Sequence, residues 1–193
     1  MKTLLISAAF AAAVLAPAAA NAQAIPPAVV AVVDLDSVTR NCNACRTAQA
    51  ALQGQVTAEE NREKTLVAPL QTEQDSIKAA VAALKGKEPG PALQARIKAF
   101  QTRYDQAQAD ADRGRQQLKA NQTYIQKQIV DKLNPIYQQV MQRRGANLLV
   151  EVGATLATSR NVDVTGDVLA ALNAALPTIA TTAPPEQQQP QGR

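Results

Sequence analysis

The chain has no histidine and no tryptophan, aromatic residues make up only 3% of it, and its two cysteines stand three positions apart. Each scarcity excludes something. Without histidine the commonest general base and a leading metal ligand are missing, and neither a Ser-His-Asp nor a Cys-His nucleophile can be assembled. Cys42-Asn43-Ala44-Cys45 is followed by Arg46, where attachment of haem needs a histidine. A zinc ion there would need two further ligands, which one chain cannot supply, although chains sharing a site in an oligomer could. Gly86-Lys87-Glu88-Pro89-Gly90 lacks both the spacing and the Ser/Thr of a phosphate-binding loop. No catalytic residue, no metal and no cofactor is therefore expected. The charge excess is small as well: 20 Lys and Arg against 16 Asp and Glu, which drops by one if Lys2 is removed. That is too little to argue binding to nucleic acid.

The scarcity of aromatics leaves little to fill a large core, while the abundance of Ala, Gln and charged residues favours long helices. The only long apolar run is at the start. Met1-Lys2 followed by Leu4 to Leu15, broken only by Ser7, and then by Ala20-Asn21-Ala22, reads as an export signal over residues 1 to 22, cleaved near Ala22. The run is shorter than the ~20 residues that a spanning helix needs. An exported, periplasmic, soluble product is the expectation.

Beyond it, residues 23–41 hold a Pro-interrupted lead-in and the β-branched run Val29 to Val33, a short strand buried on both faces. Asp36 or Ser37 is placed to cap a helix, and helical periodicity begins at about Cys42. Leu93, Ile97, Phe100, Tyr104, Ala107, Ala111, Gly114, Leu118, Asn121 and Ile125 then follow one another at spacings of four and three, a heptad seam. Leu52, Val56, Leu66, Leu70, Ile77 and Leu84 trace a weaker one, in which Glu59, Glu63 and Glu73 occupy seam positions. Between them Lys85 to Pro91 carries paired Gly and Pro residues that stop one helix and permit reversal. Residues 42–145 should thus be a helical hairpin with its tip near 85–91. At ~1.5 Å per residue each helix would reach on the order of 60–80 Å. Pro69 and Pro135 should kink or break the helices. Gly114 with Ala107 and Ala111 makes the seam thin, through close packing or through looseness, of which packing is the plainer.

Residues 146–176 return to the body pattern. Asn147 to Val152 reads as a strand, Thr155 to Thr158 as its partner after Gly153, and Asp163 to Asn173 as a short helix capped by Thr165. From Pro177 to Arg193 no periodicity remains, and a disordered tail is expected. The fold class is α+β: a long antiparallel helical hairpin, a coiled-coil arm, projecting from a small β-strand body. So small a body buries little apolar surface and leaves strand edges open, and oligomerisation would supply both needs.

Two features suggest sites. At the hairpin tip Lys78, Lys85, Lys87, Arg96, Lys98 and Arg103 face a single acidic residue between positions 78 and 103, Glu88. A solvated helix end is the plain reading, and contact with acidic clients, anionic lipid or lipopolysaccharide the functional one. Cys42 and Cys45 can form a structural disulfide or a redox pair; the disulfide is the plainer in an oxidising compartment.

The order of elements resembles the Skp/OmpH family. Val30-Ala31-Val32-Val33-Asp34 is similar to its opening strand, and Asn147 to Glu151 stands at its second apolar strand. Val162-Asp163-Val164-Thr165, with Val168 and Leu172-Asn173, is similar to its ending. The resemblance implies a homotrimer whose pooled strands carry three arms around a cavity. It implies an ATP-independent chaperone that holds unfolded outer-membrane proteins there and prevents their aggregation. Cys42 and Cys45 depart from the family pattern. A structural coiled-coil adaptor of the envelope, or a shuttle for lipid or lipopolysaccharide, is the alternative that the hairpin and its basic tip leave open.

Overall fold

The structure, a computed structural model, describes residues 25–185. The leader read at residues 1 to 22 and the last part of the tail lie outside the described residues. The element order is β1 (Val30–Val33), α1 (Leu35–Asn41), α2 (Asn43–Ala83), α3 (Pro91–Arg144), β2 (Leu148–Glu151) and α4 (Thr165–Ala175). The molecule is mostly helical, with two long helices and a two-stranded sheet.

The helix after β1 begins earlier than its periodicity suggests. Asp34, rather than Asp36 or Ser37, is its N-cap, and the carboxylate accepts from the Ser37 amide at 2.7 Å. Cys42 then interrupts the path with an extended backbone (φ −63°, ψ 126°) and caps α2, its Sγ accepting from the Cys45 amide at 3.2 Å. The chain thus turns at the cysteine pair where it leaves the body for the arm.

Neither proline breaks its helix: α2 runs through Pro69 and α3 through Pro135. Both prolines are solvent-exposed, so water can satisfy the carbonyls of Thr65 and Asp131 that lose their donors. At the reversal Leu84 caps α2, Lys85 (φ 48°) and Gly86 (φ 88°) take left-handed backbone, and Gly90 precedes Pro91 at the start of α3. The seam positions are the shielded ones, with Ile77, Asn121 and Ile125 buried and most others half-buried; Tyr104 stays 40% exposed.

Two of the three seam glutamates are answered from the other helix. Glu73 pairs with Arg103 at 2.6 Å and with Arg96 at 3.7 Å, and Glu63 with Arg115. Glu59 is held by Arg62, whose hydrogen bonds are the main reason its carboxyl lies below the usual range. Its carboxylate lies over Gly114, 1.8 Å from where a β-carbon would stand. The missing side chain at Gly114 is therefore filled by the Glu59 carboxylate, which is packing at that position, whereas Ala107 and Ala111 border an open groove.

The strands pair with each other in parallel, Val30 opposite Leu148 and Val33 opposite Glu151. A hairpin of two long helices brings the chain back to its starting end, the kind of crossover that a parallel pair requires. The partner strand expected at Thr155 to Thr158 is absent. Val152–Ala154 forms a 3-10 turn instead, closed by the Thr155 hydroxyl donating to the Val152 carbonyl at 2.8 Å. Such local side-chain bonds compete with a ladder, and Leu156 has no apolar neighbour to reward pairing, being fully exposed. On its other side β1 meets a parallel bridge at Asp163, where the Val164 amide donates to the Val32 carbonyl at 2.9 Å.

One hydrophobic cluster binds these pieces. Val38, Cys42, Val140, Val168 and Leu172 are its most deeply buried side chains, with Ala44 and Cys45 from the root of α2 and Leu133 and Ile136 from the root of α3. The α4 helix is not capped by Thr165. The Asp163 carboxylate accepts from the Thr165 amide at 2.9 Å, while Thr165 Oγ1 accepts from the Asp34 amide at 2.9 Å. The Thr165 hydroxyl, then its amide, holds the Asp163 carboxyl below the usual carboxylate value of about 3.9. A lowered folded-state value contributes stability that is complete above the ordinary value and lost as pH falls through the lowered one. Asp163→Asn should therefore lower the urea midpoint in the neutral region, where that contribution is complete, and leave it nearly unchanged below the lowered value, so that the acid limb of the profile is flatter. An unaltered acid limb would refute this role.

The tail corrects a further expectation. Ile179 packs against the core cluster, and residues 180–183 are hydrogen-bonded to the arm. The disordered tail expected from Pro177 is therefore ordered as far as the described residues run.

Candidate functional site

The arm presents three regions of interest along its length. Midway, the two helices part slightly and leave a laterally open groove of about 370 Å³ lined by Leu66, Leu70, Phe100, Tyr104, Glu63 and Arg115. Phe100 and Tyr104, one turn apart, place their ring centroids 6.1 Å from each other. The chain's few large apolar side chains outside the body are thus gathered on the arm. Val67, 57% exposed, continues this surface to the flank.

The tip is less uniformly basic than residues 78 to 103 suggest when read alone. Arg96 and Arg103 converge on Glu73, Arg96 also donates to the Ser76 hydroxyl at 2.9 Å, and Lys78 approaches Asp75 at 3.8 Å. Glu73 and Asp75 lie just before that stretch in sequence, and the hairpin brings Glu73 across to face α3. Among the described residues Lys85, Lys87 and Lys98 have no carboxylate within salt-bridge distance. The six cations therefore divide into a structural clamp, a weak local pair and three that are open to a partner.

At the arm's base Cys42 and Cys45 are joined by a disulfide, with Cα atoms 5.1 Å apart. Both are buried in the body cluster. They stiffen the turn from α1 into α2, and neither is placed to meet a large partner. No cluster of metal-ligating side chains occurs among the described residues, and no helix there is long and apolar enough to cross a membrane.

The third region escaped sequence reasoning. Asn121, a seam position, is buried at 4% exposure and makes a network with Gln55 and Gln117. Together with Gln128 these amides hold the backbone of residues 180–183. An asparagine in an apolar seam was the one signal, and a lone amide there is most often a register device.

A family model described as outer membrane protein (OmpH-like) matches residues 29–172, which is well over half of the chain. The chain belongs to the OmpH-like family. Among solved structures, an OmpH-like protein from Caulobacter crescentus CB15, a candidate outer membrane chaperone, superposes with a TM-score of 0.68 at 19% identity. The alignment covers 85% of this chain and 96% of that one. At that identity the likeness speaks for the OmpH-like fold. No curated protein matches. The family match spans both strands, the whole hairpin and most of α4, and it ends before the tail that packs on the arm.

Proposed function

We propose that this OmpH-like protein is an ATP-independent periplasmic holdase that binds unfolded outer-membrane proteins along its arms and keeps them from aggregating. The observation that carries the reading is the arm itself. Two helices of 41 and 54 residues stand out from one small core and gather Leu66, Leu70, Phe100 and Tyr104 on an open groove. A compact fold would bury such residues, whereas here a client can reach them. The groove lacks the enclosed aromatic and arginine anchors of a tight interface, so affinity arises from many weak contacts and release needs no nucleotide. The OmpH-like chaperone whose fold this chain shares supports the same role, and the leader at residues 1 to 22 supports the compartment.

The body accounts for assembly. Among the described residues β2 pairs only with β1, so its other edge is open, and Leu148 on it is exposed. A homotrimer joined through this edge, as the family resemblance implies, would cover the edge and set arms around a shared space. The open cations Lys85, Lys87 and Lys98 add contact with acidic clients, anionic lipid or lipopolysaccharide.

The test dilutes a urea-denatured outer-membrane barrel protein into buffer with and without the chain, following light scattering while sedimentation reports the chain's mass. Suppression near one assembly per client, unchanged by added ATP, is expected from a species larger than the monomer. Equal scattering in both samples refutes the holdase, and a folded monomer refutes the body-driven assembly.

A further inference from the structure

The hydrogen bonds that residues 180–183 make to the arm are all made by their backbone. Gln128 receives the Ala180 amide on Oε1 at 3.0 Å and donates from Nε2 to the Ala180 carbonyl at 2.8 Å. Gln55 Nε2 donates to the Thr181 carbonyl at 3.2 Å, and Asn121 Oδ1 accepts from the Ala183 amide at 2.8 Å. Gln117 reaches the Ala183 carbonyl at 3.5 Å and Asn121 at 2.8 Å, and Asn121 donates to Gln55 at 2.8 Å. Among the described residues no side chain of 180–183 takes part in a hydrogen bond to the arm. A side-chain amide that accepts from the N–H and donates to the C=O of one residue reads polypeptide backbone without regard to sequence.

The spacing fits the same conclusion. Gln128 and Asn121 are seven residues apart on α3, a rise of roughly 10.5 Å, and the peptide units they hold are three residues apart, which extended chain covers in about 10 Å. Beyond Thr182 the furrow does not stop. It continues between Glu59, Arg62, Gly114 and Leu118 as an open space of about 380 Å³ toward the arm groove at Phe100 and Tyr104. An extended chain longer than residues 180–183 could follow it.

We propose that the amide row Gln55, Asn121 and Gln128 is a binding site for non-helical polypeptide backbone, and that residues 180–183 occupy it as a tethered stand-in which an unfolded client displaces. The displacement rests on the holdase reading, whereas the amide site does not. Tethering gives the stand-in an effective concentration in the millimolar range, so a weakly bound segment keeps the row covered until a client offering many contacts arrives. The small side chains of Ala180, Thr181, Thr182 and Ala183 add little that would make the tail hard to replace.

Two prolines test this in the full chain. Ala180→Pro and Ala183→Pro remove the two amide hydrogens that Gln128 and Asn121 accept, and leave Leu176 and Ile179 in the core. A fluorescein-labelled synthetic peptide of residues 177–185 is titrated against both proteins by anisotropy, with circular dichroism to verify equal helicity. The double proline variant should bind the peptide at least fivefold more tightly than the wild type. Adding Gln128→Ala to it should abolish the gain, and urea-denatured barrel protein should displace the peptide. Equal peptide affinity in wild type and proline variant overturns the site, as does a gain that Gln128→Ala leaves intact. Peptide that stays bound while the chain suppresses client aggregation overturns the displacement. If the chain suppresses no aggregation at all, the holdase reading fails, and the peptide titration still decides the amide row.

Discussion

Replacing Leu172 by alanine is expected to cost about 3 kcal/mol and to loosen the roots of both arm helices at once. The side chain is fully buried, and the cluster around it draws Val38 from α1, Ala44 and Cys45 from the base of α2, Val140 from the end of α3 and Val168 from α4 itself. No second core among the described residues could share the loss. A folded domain of ordinary stability has only 5–15 kcal/mol to lose, so a defect here takes a large fraction of the total. With a urea dependence of about 2 kcal/mol per molar, the midpoint should fall by roughly 1.5 M. Leu156→Ala is the control, because that side chain is fully exposed and should shift stability by less than about 0.5 kcal/mol. Urea titrations at fixed protein concentration, followed by circular dichroism, measure both. Equal midpoints for the two variants would show that the body is not what holds the arms together.

The legible parts of this fold were those in which one residue's neighbours in sequence are also its neighbours in space. Heptad spacing along a helix needs no knowledge of the rest of the chain, so the seams and their reversal could be read from Leu52 to Ile125. The β-branched run at Val29 to Val33 and the apolar run at Asn147 to Val152 likewise marked the two strands. Their pairing could not be read so directly, because Val30 and Leu148 meet across the whole hairpin, and a nearby run at Thr155 to Thr158 looked a cheaper partner. What excluded it was the Thr155 hydroxyl turning back on Val152, a bond with no signature in hydrophobic pattern. The tail shows the same limit from the other side. Its composition, rich in Thr, Ala and Pro, cannot form a core, and in isolation it suggests disorder. It is ordered because Gln55, Gln117, Asn121 and Gln128 complete its backbone bonds from positions that are remote in sequence. At the tip, charge counting over consecutive residues missed that Glu73 stands across from Arg96 and Arg103, so the number of cations was right and their availability was not.

That difference in availability yields a sharper expectation for the tip than neutralising every cation there. Lys85→Asn, Lys87→Gln and Lys98→Gln together should slow capture of an acidic unfolded polypeptide on the order of tenfold at low ionic strength. Asparagine is chosen at 85 because the backbone there has φ 48°, a conformation Asn tolerates better than most residues. The effect acts through long-range attraction, which salt screens over a Debye length of about 10 Å at 0.1 M and 3 Å at 1 M. Capture by wild type and triple variant should therefore converge as salt is added, with bound lifetimes nearly equal throughout. Arg96→Gln with Arg103→Gln removes charge as well, but for a different physical end. It leaves Glu73, whose side chain is only 18% exposed, facing α3 without its partners, and should loosen the tip even at high salt. Stopped-flow capture across a salt series separates the two, with amide exchange at the tip reporting local opening. A triple lysine variant with the wild-type rate and salt slope would remove the tip from client capture. An arginine pair variant whose defect also vanished with salt would show that Glu73 clamps nothing, and that Arg96 and Arg103 are ordinary surface charges.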